Sequence, residues 1–134
     1  MAEFTLSVVA PDRTIFEGEV LSAVVPGVNG YMGVMANHEP IIAALETGIV
    51  ECKDARGQST HIAIGGGFME VSGTKAIILA NSGEAASEID LADAEKELEE
   101  ARKALRGESS SIASEDAQDA LKRAMNRIKA ARRA

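Results

Sequence analysis

Residues 78–105 read ILANSGEAASEIDLADAEKELEEARKAL, and the grammar of the chain changes inside that stretch. Ile78-Leu79-Ala80 closes a text of β-branched residues broken by glycine turns. From Leu91 onward, Leu91, Ala94, Leu98, Ala101 and Leu105 step by three and four, the stripe of a helix. Asp90 is placed as its N-cap, Asp93 lies in its first turn, and Gly107 supplies the stop. The change falls near residue 85, and composition moves with it. Residues 1–84 hold 11 of the 12 glycines and all three prolines, whereas the last 50 residues hold 21 of the 35 charges. Turn punctuation gives way to helix formers.

Upstream of the boundary, Phe4, Leu6 and Val8 alternate with Thr5 and Ser7, the pattern of a half-buried strand. Further strands are expected at 14–16, 20–25, 31–35, 41–45, 49–53, 60–64, 68–72 and 75–80. Turns are marked at Pro11-Asp12, Pro26-Gly27, Asn29-Gly30, Ala55-Arg56-Gly57 and Ser72-Gly73. No segment is long and periodic enough for a crossover helix, so a parallel sheet is not expected. The pattern predicts an antiparallel β-sandwich of eight to ten short strands over residues 1–86.

Downstream, residues 87–134 predict an antiparallel helical hairpin. Ser109-Ser110-Ser111 forms the connector, Ser114 is expected to cap the second helix, and Ala117, Leu121, Ala124, Ile128 and Ala131 form its stripe. Residues 88–100 carry seven acids and one lysine, while 122–134 carry six bases and no acid. Laid antiparallel, the two blocks face one another, and each suits the helix dipole beneath it. The stripes are half alanine. At roughly 1.5–3 kcal/mol per fully buried large side chain, against roughly 1–2 kcal/mol per ordered residue, such a pair is marginal alone. The hairpin is therefore expected to dock, undock or extend according to what it touches.

Composition narrows the chemistry. Net charge is −7 and aromatics are 3% of the 134 residues, which argues against nucleic-acid binding and base stacking. A single cysteine, Cys52, excludes an internal disulfide, and two histidines leave little for a metal site. The opening ten residues lack the basic, then apolar, layout of a signal peptide. The longest uncharged run, Val20 to His38, is broken by Pro26, Gly27, Gly30 and Gly33 and does not read as a membrane helix. A reducing, cytoplasmic setting is expected.

Five local features compete for a catalytic or binding role. Gly65-Gly66-Gly67 lacks the lysine and helix start of a phosphate loop, so it reads as a bulge or a close backbone approach. His38 and Glu39 are neighbours on extended chain and point to opposite faces, so they do not serve each other. His61 reads as an outward strand residue, and Cys52 as a small buried hydrophobe. The basic tail, Lys122 to Arg133, offers Lys122, Arg123, Arg127 and Lys129 off the apolar stripe. No nucleophile–base pair or metal cluster emerges.

Gly30-Tyr31-Met32-Gly33-Val34-Met35 followed by Asn37-His38-Glu39-Pro40 resembles the G-x-x-G-[IV]-x-x-x-H-x-P signature of the epsilon subunits of F-type ATP synthase. Gly66-Gly67-Phe68-Met69-Glu70-Val71 resembles that family's G-G-[FI]-x-E-V strand, and Ile89-Asp90 and 121–127 also fit, in order along the whole chain. The resemblance implies a non-catalytic rotor part. Its sandwich packs on the gamma subunit and rests on the polar loops of the membrane-embedded c-ring. It thereby couples ring rotation to the alpha/beta hexamer, and its hairpin can extend to hinder ATP hydrolysis. Gly30, Tyr31, Met32, Gly33 and His38 then correspond to the ring and gamma contact region. The implied setting is the cytoplasmic face of the inner (plasma) membrane, peripheral and held only through the complex.

Two positions depart from the family. Tyr31 stands where an acid is common, so a hydrogen bond or apolar contact must replace an acidic one. Some members bind ATP between the helices through I-D-x-x-R-A and later arginines. Here Ile89, Asp90, Arg123 and Arg127 match, but Asp93 replaces the motif arginine, which subtracts a charge-assisted bond and adds repulsion. No cofactor is expected. Three other readings remain open: a nucleotide-sensing module without a rotor role, a sandwich enzyme, and a scaffold with a dimerising tail.

Overall fold

The computed structural model describes residues 2–108 and 110–133, with the side chain of His38 outside the description. The chain divides into two compact units, Met1–Ala85 and Ala86–Ala134.

The first unit has eight strands: β1 (Phe4–Ala10), β2 (Arg13–Val20), β3 (Ser22–Gly27), β4 (Gly30–Met35), β5 (His38–Lys53), β6 (Ser59–Gly73), β7 (Lys75–Ala80) and β8 (Gly83–Ala85). They form one hydrogen-bonded path, β2-β1-β7-β6-β5-β3-β4, with β8 also on β6. Two strands are long, and register shows what they do. The second half of β6 pairs with β7 through Gly67–Ser72, and its first half pairs with β8 through Ile62–Ile64. Likewise β5 meets β3 mainly at Glu51–Lys53, while its Ile41–Leu45 half faces the β7-paired part of β6. Both strands thus turn a corner from one layer of the sandwich into the other.

The pairs expected as separate strands at 41–45 and 49–53, and at 60–64 and 68–72, are therefore single bent strands. The bend in β6 falls at the three glycines. Gly66 and Gly67 have φ of +85° and +144°, and a Cβ on Gly67 would lie 2.1 Å from the Leu79 carbonyl oxygen. Close backbone approach, the reading made for this triplet, is its role.

One pairing breaks the antiparallel rule. Strand β1 lies parallel to β7, Thr5 opposite Lys75 through Val9 opposite Leu79. A parallel pair needs a long crossover but not a helical one. The other strands of the sandwich supply the connection, and this is why the absence of a helix signal misled the expectation. Residues alternating along the strands fill the interior: Phe4, Leu6 and Val8 meet Val25, Val34, Val50, Cys52, Ile62, Ile64, Met69, Val71 and Ile78.

The second unit contains α1 (Leu91–Leu105) and α2 (Ala117–Ala131), packed on each other. Asp90 Oδ1 accepts the Asp93 backbone N–H at 3.1 Å, the expected cap. Gly107, at φ +79°, ends α1: its N–H donates to Ala104 O and that of Glu108 to Lys103 O. At α2 the expectation fails. Ser114 opens a 3₁₀ turn, and no side chain caps that turn or α2. The Asp116 N–H bonds to Ala113 O instead, so the tightened turn satisfies a donor that a cap would have taken. The buried residues are mostly alanines, with Ala94, Ala101, Ala117, Ala120 and Ala124 joined by Ile128. Leu91 and Leu105, expected in the stripe, are the first and last residues of α1 and are exposed.

Candidate functional site

Four of the five residues expected at a contact region lie together on β4. Gly30, at φ +121°, completes the turn from β3, and Tyr31 and Gly33 point outward while Val34 joins the core. The backbone of His38 pairs opposite Gly73 at the start of β5, away from that run, and its side chain lies outside the described residues. Tyr31 is held in an unexpected way. Its hydroxyl accepts the Ile49 backbone N–H at 3.2 Å, across β3. The reason is in the β3–β5 register. Three steps along β3, Val24 to Gly27, correspond to six along β5, Glu51 to Leu45, so β5 lacks ladder partners there. The phenol fills that gap. It also closes over Gly48, where a Cβ would lie 2.8 Å from the hydroxyl and 2.5 Å from Pro26 Cβ.

A second surface was not singled out in the sequence. On the outer face of β5, β6 and β7, Ala44 stands opposite Phe68, Phe68 opposite Leu79, Ile42 opposite Glu70, and Glu70 opposite Ile77. Ile42 is 75% exposed and Phe68 59%, with Leu79 and Ile77 also uncovered. The signal was there: Ala76-Ile77-Ile78-Leu79-Ala80 is apolar at every position, so both faces of the strand carry hydrophobes. Contiguous apolar exposure of this kind marks a protein contact.

Between α1 and α2 runs a groove of about 660 Å³. Asp93, Glu97, Glu100, Asp116 and Asp119 line it, against Lys96 and Arg123. Beside it, Arg127 donates to Asp93 Oδ2 at 3.1 Å and lies 3.7 Å from Glu97 Oε2. Asp90 is occupied as the cap of α1, and Ile89 is half-buried. Of the residues that match the family's nucleotide motif, here degraded by Asp93, Arg123 lines the groove and Arg127 lies beside it. The donor set does not fit a polyphosphate, because five carboxylates would face its charges and Arg127 already answers two of them.

Two further groups are accounted for by structure. His61 Nε2 lies 2.7 Å from Glu51 Oε2, a part-buried cross-strand pair in which the His61 side chain is largely covered rather than open to solvent. Cys52 is buried, and desolvation drives its thiol pKa from 9.0 up to about 11, with Asp54 and Glu51 adding to the rise against a lowering bond from Thr60. The thiol is inert at neutral pH. Among the described residues no cluster of three His, Cys, Asp or Glu could hold a metal ion. Among the described residues no helix is long and apolar enough to cross a membrane.

The chain is thus a sandwich with an apolar outer face and an uncharged edge strand, followed by a helical hairpin. Residues 3–86 match the family described as ATP synthase, Delta/Epsilon chain, beta-sandwich domain, and residues 87–132 match its long alpha-helix domain. The chain belongs to the ATP synthase epsilon chain family, a non-catalytic component of the central stalk of F1. It is 36% identical to the epsilon chain of Moorella thermoacetica, covering 98% of both chains. Against that of Syntrophomonas wolfei it is 40% identical, over 97% of this chain and 96% of the relative. A chain of the Euglena gracilis mitochondrial ATP synthase OSCP/F1/c-ring assembly superposes with a TM-score of 0.80 at 27% identity, over 98% of this chain and 82% of that one.

Proposed function

We propose that this subunit transmits c-ring rotation to the catalytic hexamer by holding gamma on the outer face of β5–β7 and the ring loops at the β3–β4 end. The hairpin, reaching the alpha and beta subunits, acts as a brake on ATP hydrolysis. In this reading the protein sits at the cytoplasmic face of the membrane, attached only through the complex. The observation that supports it most directly is the uncovered apolar face of Ile42, Phe68, Ile77 and Leu79 on an otherwise well-packed sandwich. A nucleotide-sensing role apart from the rotor finds no support in the acidic interhelical groove.

The test is add-back to the cognate ATPase complex stripped of this subunit, using the full chain and a version ending at Ser87. Both are expected to rebind and to restore proton-coupled ATP synthesis, and only the full chain to slow hydrolysis. Failure of both to rebind overturns the rotor reading. Hydrolysis indifferent to the hairpin removes the brake and leaves the coupling role standing.

A further inference from the structure

The chain has four asparagines, at 29, 37, 81 and 126, and of these Asn29 alone precedes a glycine. The residues after the other three, His38, Ser82 and Arg127, all carry a Cβ. Val28 and Asn29 form the turn between β3 and β4, closed by the Gly27–Gly30 pair, and Asn29 and Gly30 are both exposed. Gly30 stands at φ +121°, and among the described residues nothing but its chain neighbours lies within 4 Å of where its Cβ would be. No described residue hydrogen-bonds the Asn29 side chain. The turn from β5 to β6 is the contrast: there Asp54 Oδ1 accepts the Arg56 and Gln58 N–H groups at 2.9 and 3.0 Å and is held by them. Strand β4 pairs with β3 at the end of the sheet path, so no further strand braces the far side of the Asn29 turn.

We infer that Asn29 is a site of spontaneous covalent modification, at which the Gly30 backbone nitrogen turns the side-chain amide into a carboxylate. That nitrogen gives up its proton to hydroxide and attacks Asn29 Cγ. A bond forms between them, the bond from Cγ to the side-chain nitrogen breaks, and that nitrogen leaves as ammonia. Water then opens the cyclic imide. Attack at Cγ releases the Gly30 nitrogen from the side chain and gives aspartate. Attack at the Asn29 main-chain carbonyl gives isoaspartate, in which the backbone runs through Cβ and Cγ. One water is consumed, one ammonia is released, and nothing is oxidised or reduced. Glycine matters because nitrogen and Cγ must meet, and a Cβ on the following residue crowds that approach. The untethered amide and the open space around Gly30 leave the turn free to make it. Either product puts an anion into Val20–His38, a run of nineteen residues with no charge. Isoaspartate also lengthens the backbone between Gly27 and Gly30, next to the Tyr31 that receives the Ile49 N–H.

The experiment incubates the folded full chain at mildly alkaline pH and compares it with an unincubated sample. Trypsin releases residues 14–53 as one peptide, which holds Asn29 and Asn37 together, and mass spectrometry reads each position. The mass gained when O replaces NH is expected at residue 29 at least about tenfold faster than at 37. The gain should quicken as pH rises, with aspartate and isoaspartate both formed. Asn29→Gln, at an exposed position, is expected to melt with the wild type and to abolish the gain at 29. Gly30→Ala is expected to slow it at least about tenfold, its fold being checked by melting because alanine is strained at this φ. If Asn29 is modified no faster than Asn37, the inference is overturned. It is equally overturned if Asn29 survives in the folded chain and is modified in urea, since the turn then guards it. Aspartate without isoaspartate means direct hydrolysis and removes Gly30 from the reaction, again overturning it. None of these outcomes bears on the rotor reading, because the reaction is the free chain's own and needs no partner but water.

Discussion

Gly67 and Tyr31 show how far single residues set the shape of the contact surfaces. Gly67 combines a left-handed φ with a carbonyl where a Cβ would go, so Gly67→Ala is expected to destabilise the sandwich by on the order of 3 kcal/mol or more. A urea midpoint equal to the wild type's would refute this. Tyr31→Phe keeps the ring and leaves the Ile49 N–H without its acceptor, at a cost of about 1–3 kcal/mol, read as faster exchange of that amide. Cys52 gives a pH signature with a definite sign. Below pH 9.0 the thiol is protonated in both states; between 9.0 and about 11 the unfolded chain releases the proton while the folded chain keeps it. Stability therefore falls across that window, and Cys52→Ala is expected to flatten the fall between about pH 8 and about pH 10. The Gly67 constraint was legible as a glycine triplet between apolar runs. The bond from the Ile49 amide to Tyr31 was not, because it depends on a register mismatch between strands that no local pattern encodes.

At the level of elements, the helix pair is fastened at two points. Far from the connector, Arg127 bridges Asp93 and Glu97. Beside the connector, Glu100 accepts the Ser110 hydroxyl and the Ser111 N–H. Asp93, which removes a cation from the nucleotide motif, thus gives Arg127 a partner within the chain. Titration of the full chain with ATP is expected to show no saturable binding up to millimolar nucleotide. Arg127→Gln is expected to loosen the pair by at most about 1 kcal/mol, since Asp93 is largely in water, and amide exchange near the end of α2 rises accordingly. The Ser111 amide and then the Ser110 hydroxyl hold the Glu100 carboxyl below its ordinary pKa. Its contribution is present above that ordinary value and is lost as pH falls through the lowered one, so the connector amides are expected to lose protection there, and in Glu100→Gln at neutral pH. The start and stop of α1 and the pairing of the helices were readable because that cap, Gly107 and the charge blocks are local, whereas the start of α2 was not, a 3₁₀ turn standing where a Ser114 cap was expected. Leu91 and Leu105 were misassigned because periodicity marks a face of a helix and does not tell how exposed its first and last residues are.

For the whole molecule, the division of labour between a packed sandwich and an alanine-lined hairpin was visible in the shift of composition near residue 85. The corner strands were not, since a glycine inside a bent strand and a glycine between two strands look the same in one dimension. Nor was the outer apolar face, where hydrophobes on both sides of β7 look like nothing more than a buried strand. Phe68→Glu is expected to abolish rebinding to the stripped complex, while the melting temperature of the free subunit stays within a few degrees because Phe68 is exposed. Loss of folding instead would place Phe68 in the core.

The parallel pairing of β1 with β7 also sets an order of assembly. Strand β1 can form a hairpin with β2 as soon as both exist, but its other edge stays open until residues 75–80 have been made and have closed on it. Every strand between them lies inside that loop, so this closure carries the largest entropic cost of any pairing in the sandwich. During synthesis the first strand made is thus among the last to be sealed, with one backbone edge left open for most of the time the sandwich is being built.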